Sequence, residues 1–113
     1  MVRRDKGTES VEHGSANVFA DLGYADAEER QTKLRLAYIA RQIFDERGLT
    51  QISAAKLLGI NQPKVSALLN YKLEGFSVER LMRFLTALDR DIEIVIRKKP
   101  RARATGKISV VAA

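Results

Sequence analysis

The sequence predicts an all-α domain of four to five helices, completed by one C-terminal β-strand that pairs across a dimer. Three observations carry this. Apolar residues recur at helical spacing in two long stretches, Leu36 to Phe44 and Val78 to Leu88. Between them, residues that start helices and residues that end them follow in order at Thr50, Gly59, Asn61 and Pro63. From Ile92 to Ile96 the apolar period drops to two, which is the period of a strand. A chain of 113 residues has room for one core of this size but not for two.

Residues 1–14 mix both charge signs with Gly, Thr and Ser and have no apolar period, so a disordered arm is expected there. Ser15 can cap a short helix through Phe19 and Leu22 that Gly23 closes, and this helix reads more readily as packing onto the domain than as a partner site. Asp26 is expected to start the first long helix, with Glu28 and Glu29 in its opening turn, where carboxylates complement the positive end of the helix dipole. Leu36, Ile39, Ala40, Ile43 and Phe44 follow one face of it, and Lys33, Arg35, Arg41 and Arg47 fall largely off that face. Gly48 ends this helix, and Leu49 plugs the junction that follows.

Two short helices come next. Thr50 caps the first, although Ser53 stands where Glu or Gln would complete a capping box. Ala54, Leu57 and Leu58 have helical spacing and Gly59 stops it. Asn61 caps the second, and Pro63 in its first turn sacrifices no helical hydrogen bond. Val65, Leu68 and Leu69 form a narrow apolar stripe, leaving Gln62, Lys64, Ser66 and Ala67 facing outward. A loop with Gly75 leads to a helix capped by Ser77, in which Val78, Leu81, Met82, Leu85 and Leu88 face the core.

Two short helices joined by a glycine corner are what a helix-turn-helix requires, the second entering the DNA major groove. Gln can bond an adenine edge twice, Lys reaches guanine or phosphate, and a small Ala permits close approach. No carboxylate lies between Ile52 and Leu73, and the charges there are Lys56, Lys64 and Lys72. A surface facing phosphates has that composition. The net charge of +6 is weaker support, because residues 97–107 hold six of the 20 bases and no acid, and the other 14 bases balance the 14 acids.

The run Thr50-Gln51, Ala55, Gly59, Gln62-Pro63-x-Val65-Ser66-x-Leu68 resembles the Cro/repressor-like (XRE) helix-turn-helix family. The resemblance implies base reading by Gln62, Pro63 and Ala67, with Asn61 and Lys64 beside them, and a phosphate contact from Gln51. Read from the residues themselves, Ser66 joins the base-reading face and Thr50, Lys56 and Lys72 the phosphate-facing one, with a solvated lysine an equal reading of Lys72. Pro63 departs from the polar residue that many members carry there. Over roughly residues 14–97, with the run Gly14 to Gly23 and the segment Asp91 to Arg97, the chain resembles the HigA-like antitoxin branch of that family. That resemblance implies a dimeric repressor of its own operator that also neutralises a RelE/HigB-like ribonuclease toxin. A regulator without a toxin, and a protein-interaction adaptor that no longer binds DNA, are the alternative readings.

Ile92, Ile94 and Ile96 alternate with Glu93, Val95 and Arg97 and have no obvious strand partner in their own chain. The simplest partner is the same strand of a second subunit about a two-fold axis, which makes these isoleucines the expected dimerisation residues. The expected organisation is therefore an arm at 1–14, a DNA-binding domain at 15–97 containing dimerisation strand 91–97, and a basic flexible tail at 98–113. Ile108 to Val111 is a weaker candidate for another short strand.

Catalysis has little to work with. His13, the sole histidine, lies in the expected arm, no glycine-rich phosphate loop is present, and there is no cysteine for a disulfide or a thiolate metal site. The reading is a protein without enzyme activity, cofactor or metal. No apolar run approaches the length of a membrane span and no signal peptide is apparent, so a cytoplasmic protein that does not meet the membrane is expected.

Overall fold

The computed structural model describes residues 15–113, with side chains from Asp26 onward, and contains four helices: α1 Ser15–Arg47, α2 Gln51–Leu58, α3 Gln62–Leu69 and α4 Val78–Ala87. The expected arm at 1–14, including His13, lies outside the described residues. The chain divides into two units at residue 30, and the described part of the first is the opening stretch of α1, where Arg30 pairs with Asp26 one turn before it at 3.6 Å.

The helix expected at 15–23 and the one expected from Asp26 are a single helix. Gly23 does not break it. An interior glycine costs only about 1 kcal/mol, and Ala20, Leu22, Ala25, Ala27, Glu28 and Glu29 around it favour helix. Gly48 ends α1 in the left-handed conformation (φ 62°), with the Leu49 N–H returning to the Phe44 carbonyl at 3.0 Å.

The second unit, residues 31–113, holds the core. Leu36, Ala37, Ala40, Ile43 and Phe44 of α1 are buried together with Ala54 of α2, Val65 and Leu68 of α3, and Leu81, Phe84 and Leu85 of α4. Leu73 and Phe76 in the α3–α4 loop close it, and Phe76 meets Phe84 edge to face with centroids 5.7 Å apart. One detail of the apolar stripes differs from expectation. Ala54 is fully buried, but Leu57 remains 39% exposed.

No strand forms among the described residues, and Asp91 to Arg97 has no ladder partner in its own chain. The face expected to be buried is open, with Ile94 74% and Ile96 91% exposed. The physical reason is that a strand satisfies neither its backbone groups nor its apolar face alone, and no other described segment pairs with it. Beyond Pro100 the Arg103 N–H closes a turn on the Pro100 carbonyl at 3.2 Å, and Val110 packs against the core while its carbonyl accepts from Arg35 Nη2 at 3.3 Å.

Candidate nucleic-acid interface

The helix-turn-helix is assembled by backbone chemistry that its sequence specifies residue by residue. The Ser53 N–H donates to Thr50 Oγ1 at 3.1 Å, and the Thr50 N–H donates back to Ser53 Oγ at 3.0 Å. The capping box is therefore complete, because a serine hydroxyl performs the part usually taken by Glu or Gln. Gly59 turns left-handed (φ 70°) and the Ile60 N–H reaches the Ala55 carbonyl at 3.1 Å, closing α2. A Cβ at Gly59 would meet nothing within 4 Å, so the glycine answers a conformational need and no spatial one.

Asn61 opens α3 by accepting from the Lys64 N–H at 2.9 Å through Oδ1. Its amide NH2 remains available to donate outward. The other end of α3 is held by Arg41 of α1, whose Nη1 donates to the Leu69 carbonyl at 2.7 Å. A guanidinium at a helix C-terminus satisfies an otherwise orphaned carbonyl and opposes the negative end of the dipole. With Val65 and Leu68 fully buried beneath it, α3 is fixed on its inner face and at both ends.

The outward residues separate into two groups. Asn61, Gln62 and Pro63 are exposed in the first turn of α3, and Ser66 lies one turn on from Gln62. Lys64, Ser66 and Ala67 are half-buried, and Ala67 packs against the core. The Ser66 hydroxyl accepts from Asn70 Nδ2 at 3.4 Å. Of the residues expected at phosphates, Gln51, Lys56 and Lys72 are exposed without an ion pair. Thr50 is exposed too, but its hydroxyl already donates to Ser53 Oγ at 3.0 Å. An acceptor-only phosphate would have to displace that bond to be reached by Thr50.

One residue was missed in the sequence. Arg80, in the first turn of α4, lays its guanidinium 5.8 Å from the Phe76 ring centroid and 5.6 Å from that of Phe84. The Lys64 ammonium sits 5.7 Å from the same Phe76 ring. Neither cation has a carboxylate partner among the described residues. Part of the signal was present: Arg80 and Phe84 are spaced by four on α4, which stacks them along one face. Two unpaired cations from the first turns of α3 and α4 thus share one aromatic ring.

Among the described residues, no three His, Cys, Asp or Glu side chains are placed to hold a metal ion, and no helix is long and apolar enough to cross a membrane.

A short helix fixed at both ends, with a polar first turn open to solvent, preceded by a second short helix and a left-handed glycine corner, defines a helix-turn-helix domain. The helix-turn-helix domain family matches residues 18–97. A solved structure placed by its description in the XRE family of transcriptional regulators is 73% identical, with a TM-score of 0.75 over 78% of this chain and 99% of that one. No curated protein is similar enough to match. The chain belongs to the XRE family of helix-turn-helix proteins.

Proposed function

We propose that this protein is a cytoplasmic, sequence-specific DNA-binding transcriptional regulator that works as a homodimer. The observation that carries the reading is the first turn of α3: Asn61, Gln62 and Pro63 are exposed on a helix that Val65, Leu68 and Arg41 hold rigidly, with no carboxylate from Ile52 to Leu73. Gln62 and Asn61 read base edges, and Ser66 supports them one turn further on. Pro63 presents an apolar surface, suited to a thymine methyl. Lys64 and Ala67, being half-buried, act at the margin of that surface. Gln51, Lys56, Lys72 and Arg80 meet phosphates, which set register and orientation and carry no sequence information. Pairing through Ile92, Ile94 and Ile96 would set two such helices about one DNA turn, roughly 34 Å, apart on a near-palindromic operator.

The test is binding to the protein's own upstream DNA against scrambled DNA over a salt series. Preference for the upstream fragment that survives added salt is expected. Gln62→Ala should weaken binding to that fragment by roughly 1–3 kcal/mol and leave scrambled DNA nearly unaffected. Equal loss on both fragments would remove Gln62 as a base reader.

The antitoxin role is the finer reading, and one surface favours it. Leu34, Arg35, Tyr38 and Tyr71 line an open groove, and Leu34 and Tyr38 are exposed in the middle of α1. Such an exposed, partly aromatic surface suits a protein partner of the RelE/HigB-like toxin class. Co-purification with the product of the adjacent gene, lost in Tyr38→Asp, is the expected result; a regulator without a toxin would show neither.

A further inference from the structure

We infer that residues 91–97 of two copies pair antiparallel in one register, with Ile94 on the two-fold axis and Asp91 of each copy facing Arg97 of the other. The inference rests on the dimer reading above and specifies the contacts that reading leaves open.

The last backbone donor before this segment is Arg90, whose N–H reaches the Leu85 carbonyl at 3.0 Å. From Asp91 to Arg97 no backbone or side-chain hydrogen bond and no ion pair forms with any described residue. The contrast with its neighbours is sharp in chemical terms. Asp89 pairs with Arg47 at 3.7 Å and Arg90 with Glu46 at 3.5 Å, whereas Asp91, Glu93 and Arg97 are unpaired. Ile92, Ile94, Val95 and Ile96 are all exposed in the single chain. Seven residues with free donors and acceptors, alternate isoleucines and unmatched charges have the make-up of a strand without its neighbour.

The occupant follows from the order of the residues. Asp-Ile-Glu-Ile-Val-Ile-Arg carries opposite charges at its two ends and isoleucine at its second, fourth and sixth positions. Reversed against itself it sets acid against base and isoleucine against isoleucine, which is the condition for an isologous contact. With Ile94 on the axis, Ile92 faces Ile96 twice, Asp91 faces Arg97 twice, and six isoleucines form one continuous apolar face.

Other registers are poorer. A slip of one residue sends the two isoleucine rows to opposite faces of the sheet. Placing Glu93 on the axis sets two carboxylates directly against each other and Ile96 against Arg90. Placing Val95 there keeps opposite charges together, Glu93 with Arg97 and Asp91 with Lys99, but sets each Ile92 against Lys98. Only the Ile94 register satisfies both the apolar face and the terminal charges.

The chain has no native cysteine, so single cysteines report register cleanly. Full-length Ile94→Cys and Val95→Cys are oxidised mildly and followed on a non-reducing gel, beside light scattering of the unsubstituted chain. Facing positions bring Cβ atoms within disulfide reach and positions offset by two do not, so Ile94→Cys should form covalent dimer at least about ten-fold faster. Faster crosslinking of Val95→Cys overturns the register. Slow crosslinking of both in a chain of dimeric mass overturns the Ile94 register, and a monomeric mass overturns the dimer reading beneath it. An orthogonal check uses charge. Asp91→Arg or Arg97→Asp alone should raise the dimer Kd roughly 2- to 30-fold, and the double variant should bring it back to within about three-fold. In the Val95 register the double variant would not recover.

Discussion

Residues 62–69 and 91–97 are both short and rich in branched aliphatic side chains, yet the chain treats them oppositely. Val65 and Leu68 have no solvent exposure at all, whereas Ile94 and Ile96 are 74% and 91% exposed. The difference lies in where each segment's partners come from. Helix α3 satisfies its backbone within its own chain, with Asn61 and Arg41 closing its ends, and its apolar stripe against neighbours there. A strand satisfies neither alone, so its apolar face and its hydrogen bonds both wait on another strand.

The largest effect that separates the two regions is the loss of a core side chain. Leu68→Ala should destabilise the fold by about 2–5 kcal/mol, because no water fills the space and the surrounding core relaxes only in part. Its unfolding midpoint in urea should move by the same amount at every protein concentration. Ile96→Ala should cost less than about 0.5 kcal/mol in the single chain, as a surface substitution does, and any larger cost should grow or shrink with concentration through the dimer. Equal, concentration-independent losses at the two positions would mean that Ile96 is covered within its own chain.

That division also marks how far the sequence could be read. The helix-turn-helix was legible because each of its signals acts within about four residues: Thr50 on Ser53, Gly59 on Ala55, Asn61 on Lys64. The stripe of Val65 and Leu68 named the buried face for the same reason. Misreadings arose where competition decided the outcome. Gly23 looked like a stop, but its penalty is small beside the helix-forming residues around it. Ser53 looked like an incomplete cap because residue statistics favour a longer side chain, while the hydroxyl has both the reach and the lone pair that accepts the Thr50 N–H. Arg41 and Arg47 read only as charges off the apolar face, because nothing local announces that their guanidinium groups reach the Leu69 and Leu88 carbonyls. Alternation at 92–96 named a face but not what covers it, since periodicity contains no information about quaternary structure.

A smaller effect tests whether the local signals carry the stability assigned to them. Thr50→Ala removes the hydroxyl that satisfies the Ser53 N–H and should destabilise the chain by about 1 kcal/mol, within the usual range for a lost cap. Thr50→Ser keeps the hydroxyl and should lie within a few tenths of the parent. Chemical denaturation of the three proteins distinguishes this from a role at phosphate: if Thr50→Ala left stability unchanged and weakened DNA binding, the cap would be dispensable and the contact real.

The smallest effect concerns how the helices end. The Lys72 N–H bonds to the Ala67 carbonyl at 2.9 Å and the Tyr71 N–H to the Leu68 carbonyl at 3.2 Å, the same double closure that Gly48 and Leu49 make on α1. The residue in the left-handed position differs. Gly48 and Gly59 occupy it without strain, while Tyr71 (φ 60°) and Asp89 (φ 65°) do so with a Cβ. Asp tolerates this conformation better than most residues, and Asp89 is further tied to Arg47. A tyrosine has no such local compensation, and the conformation costs it about 1–2 kcal/mol. Tyr71→Gly should relieve that strain and lose some of it again to the greater freedom of glycine in the unfolded chain and to the contacts of a ring that is only 36% exposed. A net stabilisation of roughly 0.5 kcal/mol is expected in thermal unfolding. Gly59→Ala is the opposite experiment, since a Cβ there meets no atom and the cost, about 1 kcal/mol, is conformational alone. If Tyr71→Gly instead destabilised the chain, the ring's contacts beside Leu34 and Tyr38 would outweigh the strain. The groove would then be part of the folded core's support. If it stabilised the chain while weakening toxin capture, a strained tyrosine would be retained for what it touches outside its own chain.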